Sequence, residues 1–246
     1  MRPFVAGLAA VLLAAPAFAQ DAAAARQVVQ KAIDASGGAE LLGKLKAGTA
    51  QIKGQMTQFG KDTEFTGDMA YEVPARYTLT LSADIAGTKM VVEQALAGGK
   101  LVYKLNGTDQ PVGDKMKAEM GMALKLMEVM QLVALLDAGK YTLAAEKDAD
   151  VDGKPAAVVL VAAKEFKDTR LFFDKGTGLL VRTERKGLAP GVGADLTDVT
   201  ETTTFGDYRK TDGILLPFKA TVLHDGKKFM SFGYTTAKLL EKLDVK

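Results

Sequence analysis

Few residues in this chain could do chemistry. Histidine occurs once, at His224, and cysteine is absent. A general base at His224 is one reading. The residue abuts Asp225-Gly226, however, a hairpin-turn dipeptide, and such turns lie at the surface. His224 therefore reads as a solvated turn residue, and His224→Ala is expected to leave fold and function nearly unchanged. The serines are Ser36, Ser82 and Ser231. None lies in a Gly-x-Ser-x-Gly elbow that would expose a nucleophile. One histidine and no cysteine leave no His/Cys metal cluster, no disulfide and no thiolate chemistry. Asp148, Asp150 and Asp152 before Gly153 have the spacing of the first half of a calcium loop, but no glutamate stands at the twelfth position. They read as a solvated acidic turn. Gly191-Val192-Gly193 is not followed by the Lys-Ser/Thr of a phosphate loop. The chain is thus expected not to be an enzyme and to need no cofactor or metal.

The sharpest feature is apolar. Five of the ten methionines, Met116, Met120, Met122, Met127 and Met130, fall in one stretch with Leu124, Leu126, Val129, Leu132, Val133, Leu135 and Leu136. A helix over Asp114–Asp137 is predicted, with Asp114 as N-cap and Gly139 near its C-terminal end. Lys117, Gly121, Lys125, Glu128 and Gln131 fall within a sector of roughly 120°, from 100° per residue. The rest of the circumference must be buried. A core role competes with a ligand-contacting one, because methionine is flexible, polarizable and suited to varied apolar partners.

Other elements must position that helix. Asp21–Ser36 reads as a helix, with Val28, Val29, Ala32 and Ile33 at helical spacing and Gly37-Gly38 ending it. A short second helix fits Ala39–Leu45. Elsewhere the period is two. Phe65, Met69, Tyr71 and Val73 alternate with Glu64, Thr66, Asp68 and Glu72, and Tyr77, Leu79 and Leu81 alternate with Thr78, Thr80 and Ser82. One polar face means a half-buried antiparallel sheet. Some ten strands are expected, with hairpin turns at Gly98-Gly99, Asp152-Gly153, Asp212-Gly213 and Asp225-Gly226. Gly187–Ala194 reads as a flexible loop. No linker divides the chain, so the plan is one α+β domain: a large curved antiparallel sheet whose apolar face is covered by helices.

The N-terminus addresses the chain outward. Arg2, an apolar run over Phe4–Ala15, Pro16 and then Ala17-Phe18-Ala19 form a tripartite secretory signal with expected cleavage after Ala19. The run is shorter than the roughly 20 residues a membrane span needs. Residues 1–19 are thus expected to be removed, leaving residues 20–246 as a single soluble periplasmic domain. With no cysteine at the cleavage site it would carry no lipid anchor. Formal charge falls from +2 to +1 with the leader. Basic residues are scattered, which argues against nucleic acid as a partner.

Several motifs resemble a known family. They are Gly37-Gly38-Ala39-Glu40-Leu41-Leu42, Gly67 to Pro74 with Arg76-Tyr77-Thr78-Leu79, Ala97 to Tyr103, Phe173 to Leu180, and Gly206 to Phe218. Together they resemble the LolA/LolB superfamily of bacterial lipoprotein carriers, and its outer membrane lipoprotein-sorting relatives in particular. The resemblance implies an unclosed antiparallel β-barrel whose concave apolar face holds acyl chains under a helical lid. Where LolA itself has an arginine before the proline of the second motif, this sequence has Val73. The implied function is a periplasmic carrier or binder of lipids or lipoprotein acyl chains. The alternative is an envelope module that binds a protein partner through apolar surface. Expected ligand-binding residues are Phe65, Met69, Tyr71, Leu79 and Leu81 on the concave face, with Met120, Leu124, Met127 and Met130 on the lid. The expected partners are a lipid or acylated lipoprotein and a membrane-bound donor or acceptor protein, with the chain itself a monomer.

Overall fold

The computed structural model describes residues 17–58, 61–190 and 196–244. The leader expected at residues 1–19 lies largely outside them. Two helices, α1 (Ala17–Ser36) and α2 (Ala39–Lys44), precede the sheet. Six strands follow as a meander: β1 (Ala47–Gln58), β2 (Lys61–Glu72), β3 (Arg76–Ile85), β4 (Thr88–Ala97), β5 (Lys100–Leu105) and β6 (Thr108–Asp109). Helix α3 (Asp114–Met130) and a 3₁₀ turn at Val133–Leu136 then lead to a second meander. It comprises β7 (Thr142–Val151), β8 (Lys154–Ala163), β9 (Phe166–Asp174), β10 (Leu180–Pro190), β11 (Leu196–Thr211), β12 (Ile214–His224) and β13 (Lys227–Leu240).

All these strands belong to one antiparallel sheet, in the order β6-β5-β4-β3-β2-β1-β13-β12-β11-β10-β9-β8-β7. The two meanders join where β1 pairs with β13. The edge strands β6 and β7 do not pair, so the barrel is unclosed. That topology dictates the role of α3. The chain leaves one edge at β6 and must re-enter at the other, β7, and α3 is the segment that makes the crossing.

The expected turns are present for a local reason. Asp152-Gly153, Asp212-Gly213 and Asp225-Gly226 each hold both residues at positive φ, 54° and 81° in the first pair. That is the conformation whose twist matches a two-residue hairpin. The acidic turn is part of the same device, since Asp150 Oδ1 accepts the Gly153 amide at 2.7 Å and Asp148 pairs with Lys175.

Two expectations are corrected. Gly187–Ala194 is not a loop at its start, because β10 continues to Pro190, pairing with β11; residues 191–195 lie outside the described set. The long helix also stops early. α3 ends at Met130, its N-cap is Gly113 and not Asp114, and Leu132 turns at φ 67° and ψ −42°, a γ-turn in which the Val133 amide donates to the Gln131 carbonyl at 2.8 Å. Leucine in that strained conformation costs roughly 1–3 kcal/mol. Leu132 is buried to 3% exposure, and burying a leucine returns about 1.5–3 kcal/mol. The break thus aims Leu132 and Leu135 into the core formed by α1 and β7–β9, against Val29, Ile33, Val159 and Leu171.

At the seam of the two meanders, β1 carries Gly54, opposite Phe65 of β2 and Phe232 of β13. A Cβ at Gly54 would lie 2.3 Å from the Ser231 carbonyl and 2.7 Å from Phe232 Cβ. The strands can meet here only without a side chain. Gly54→Ala should cost about 1–3 kcal/mol, as overpacking does. For a chain of this size that lowers the melting temperature by roughly 2–12 °C. An unchanged melt would show that the seam can open at no cost.

Candidate ligand cavity

Opposed residues on neighbouring strands share a face, and the register extends one face across the sheet. Phe65, Gly67, Met69 and Tyr71 of β2 stand opposite Ala83, Leu81, Leu79 and Tyr77 of β3. They also stand opposite Gly54, Ile52, Ala50 and Gly48 of β1. The face continues through Phe232 of β13, Ala220 and Val222 of β12, Phe205 and Thr203 of β11, and Thr183 of β10. α3 lies over it.

Between helix and sheet lies a cavity of about 310 Å³. Its helical side is Leu126, Met127 and Met130; its floor includes Met69, Tyr71, Leu216, Phe218, Phe232 and Tyr234. That volume is at the lower end of small-molecule pockets. Burial raises the pKa of the Tyr71 phenol well above its usual value, with neighbouring Tyr234 adding to the effect. Burial likewise raises Tyr234. The cavity therefore presents neutral hydroxyls in an apolar surround.

The predicted residues separate into three groups. Met69, Tyr71, Met127 and Met130 line this cavity. Leu79, Met120 and Leu124 pack instead with Tyr77, Leu96 and Leu101, holding the middle of α3 on β3–β5. There the Tyr77 hydroxyl donates to Gln94 Oε1 at 2.8 Å and lies 3.1 Å from Met120 Sδ. Burial pushes its pKa up to about 12. Phe65 is buried to 2% exposure, and Leu81 shares its face without lining the cavity. The floor from β11–β13 was not anticipated. The alternation of Leu216, Phe218, Ala220 and Val222 along β12 carries the signal that finds it.

A second set was also missed. Glu119, on the nearly apolar helix, is buried and faces the sheet. Its Oε1 lies 2.6 Å from Arg185 Nη1, and its Oε2 lies 3.7 Å from Lys167 Nζ. Arg185 Nε donates to Glu201 Oε1 at 2.9 Å. His224 Nε2 lies 3.7 Å from Glu201 Oε2. His224 is accordingly not a solvated turn residue. Its side chain is 15% exposed and stacks on Phe229 with ring centroids 4.2 Å apart. The residue sits at the end of β12 opposite Glu201, just before the exposed turn, so its side chain follows the strand's inward face. Burial works against the Arg185 charge, but Glu201 and Glu119 outweigh it and the guanidinium is held above its ordinary pKa. Burial likewise works against the Glu201 carboxylate, and His224 and Arg185 overcome it to hold its pKa below the usual range.

A larger space of about 890 Å³ lies on the opposite side of α3, bounded by the β2–β3, β4–β5 and β8–β9 turns. Lys117, Lys125, Lys140 and Lys164 are among the residues that line it. Glu128 at its base is held by Lys140 Nζ at 2.6 Å and by the Tyr141 hydroxyl at 3.0 Å. Among the described residues no helix is long and apolar enough to cross a membrane.

The fold this geometry defines is LolA-like. The structure is similar to that of a LolA superfamily protein from Nitrosomonas europaea, with a TM-score of 0.54 and 10% sequence identity over 89% of this chain and 94% of that one. It is also similar to a DUF1329 family protein from Desulfovibrio piger, with a TM-score of 0.52 and 12% identity over 89% and 95% of the two chains. At such identities the likeness is one of fold. No protein-family model matches the sequence, and no curated protein does.

Proposed function

We propose that the mature chain is a periplasmic carrier or binder that holds a lipid or a lipoprotein acyl chain between α3 and the concave face, and that it is not an enzyme. The observation that supports this reading is the 310 Å³ cavity between Leu126, Met127 and Met130 above and the apolar sheet below. Each methylene taken from water into such a space contributes about 0.8 kcal/mol. Affinity can therefore build up with chain length and without specific polar contacts. Methionines on the helical side suit ligands of varied length, because their side chains re-pack at little cost. The secretory signal at residues 1–19 would deliver the domain to the compartment where acylated proteins are handed between membranes.

Native mass spectrometry of the protein after export to a periplasm, with lipid extraction, tests the reading. The expected result is a bound population heavier than the bare chain by the mass of an acylated molecule. Protein that emerges bare, and takes up nothing from lipid vesicles, would rule the reading out. The competing reading is an envelope module for a protein partner. It would bind that partner through apolar surface, and the same bare spectrum would point to it.

A further inference from the structure

The cavity ends on charge. Thr183, Thr203 and Val222 line it. Arg185, Glu201 and His224 lie two residues further along the same three strands and so on the same face, about 7 Å away. The helix repeats the arrangement. Glu119 precedes Leu126 by seven residues and Met130 by eleven, spacings that put all three on one stripe of α3. An apolar space thus leads, on both floor and roof, into a buried ionic cluster.

Within that cluster two kinds of contact differ. Arg185, Glu201 and His224 come from adjacent strands, and Arg185 Nε donates to Glu201 with ordinary hydrogen-bond geometry at 2.9 Å. Glu119 comes from the helix alone. Its two carboxylate oxygens and Arg185 Nη1 are fully buried, yet none makes a well-directed hydrogen bond. The 2.6 Å contact between Glu119 and Arg185 is one of charge without alignment. Glu119 therefore places a carboxylate between two cations, Arg185 and Lys167, that its own geometry does not satisfy. The Arg185 side chain is only 7% exposed, so water does not serve it either.

Building on the lipid-binding reading above, we propose that the cavity takes an amphiphile with an anionic head, carboxylate or phosphate, which Arg185 binds in the place that Glu119 fills here. With the tail between α3 and the sheet, the head reaches Arg185 and Lys167, and Glu119 moves away with the helix. Glu119 is then a stand-in for the ligand's charge. It keeps Arg185 paired in the absence of ligand, and a neutral amphiphile, which cannot take its place, leaves that pair intact.

The test is a calorimetric titration of the delipidated mature protein with dodecanoate, dodecyl phosphate, dodecanol and inorganic phosphate. Both dodecyl anions should bind tighter than dodecanol by about tenfold, the scale of one added hydrogen bond to a charged group. Inorganic phosphate alone should not bind. Glu119→Gln should tighten both anions about tenfold further, by removing the competing charge, and leave dodecanol unchanged. Arg185→Gln should abolish the preference. If that variant does not fold, the wild-type ratio and the Glu119→Gln shift decide. Dodecanol binding as tightly as the anions, in wild type and in Glu119→Gln, would overturn the proposal while leaving the cavity reading intact. Failure of all three dodecyl compounds to bind would overturn both. Inorganic phosphate binding as well as dodecyl phosphate would make this a free-anion site and also overturn the proposal.

Discussion

Met127→Asp is expected to strip the protein of co-purifying lipid while its melting temperature stays close to that of the wild type. Met127 lines the cavity from the helical side and is only partly buried, so an aspartate there can be hydrated when no chain is bound. With an acyl chain in place, water is displaced and the carboxylate faces hydrocarbon. That costs several kcal/mol unless the group neutralises or reaches solvent, and 1.4 kcal/mol is already a tenfold loss of affinity. Mass spectrometry of wild type and variant prepared identically gives the lipid content, and thermal melting reports the fold. A variant that melts normally and carries the full lipid complement would remove Met127 from the binding surface. One that melts far below wild type would assign Met127 to the core with Tyr77, Leu96 and Leu124, against which it also packs.

Arg185→Leu should be the most destabilising single change in the ionic cluster. It leaves the carboxylates of Glu119 and Glu201 buried without their shared cation. Breaking a buried pair in this way costs about 3–5 kcal/mol, a fall in melting temperature of roughly 6–20 °C for a chain of this size. The triple variant Arg185→Leu, Glu119→Gln, Glu201→Gln should recover much of that loss, because buried ionic groups contribute little net stability over neutral ones.

The pH dependence of the two proteins should differ in slope. In the wild type Glu201 titrates below its unfolded value. Its contribution is therefore present above about pH 4.3 and lost as pH falls through the lower folded value. In Arg185→Leu, Glu201 keeps only His224 of the two partners that hold its carboxylate down against burial, so its folded value rises toward the unfolded one. The variant's stability should then fall less steeply than the wild type's as pH drops toward 4. Melting curves between pH 4 and 8 check both. A single variant within 2 °C of wild type, with the same pH slope, would show the cluster to be far less buried than its geometry indicates.

Much of the frame was legible because it rests on short-range rules. The Asp-Gly turns, the period-two strands and the glycine pair after α1 are each dictated by the φ preferences and side-chain alternation of a few consecutive residues. The placing of Met69 and Tyr71 on one sheet face, and of Met127 and Met130 on the apolar side of a helix, follows from the same alternation and spacing. The break in the helix was not legible, because nothing in Gln131-Leu132-Val133 disfavours helix. Leu132 adopts a costly φ only because the core formed by α1 and β7–β9 is there to receive it. The ionic cluster was beyond reach for the same kind of reason. Glu119, Arg185, Glu201 and His224 are spread over 106 residues, and each alone reads as a surface charge or a turn residue. The sequence by itself determined a curved antiparallel sheet with an apolar helix that had to be covered. Tertiary structure decided where the cavity closes and which charges end inside it, because those depend on pairing β1 with β13 and on α3 crossing the gap from β6 to β7. Contacts that distant are set by the packing of the whole barrel and leave no periodic mark on the local chain.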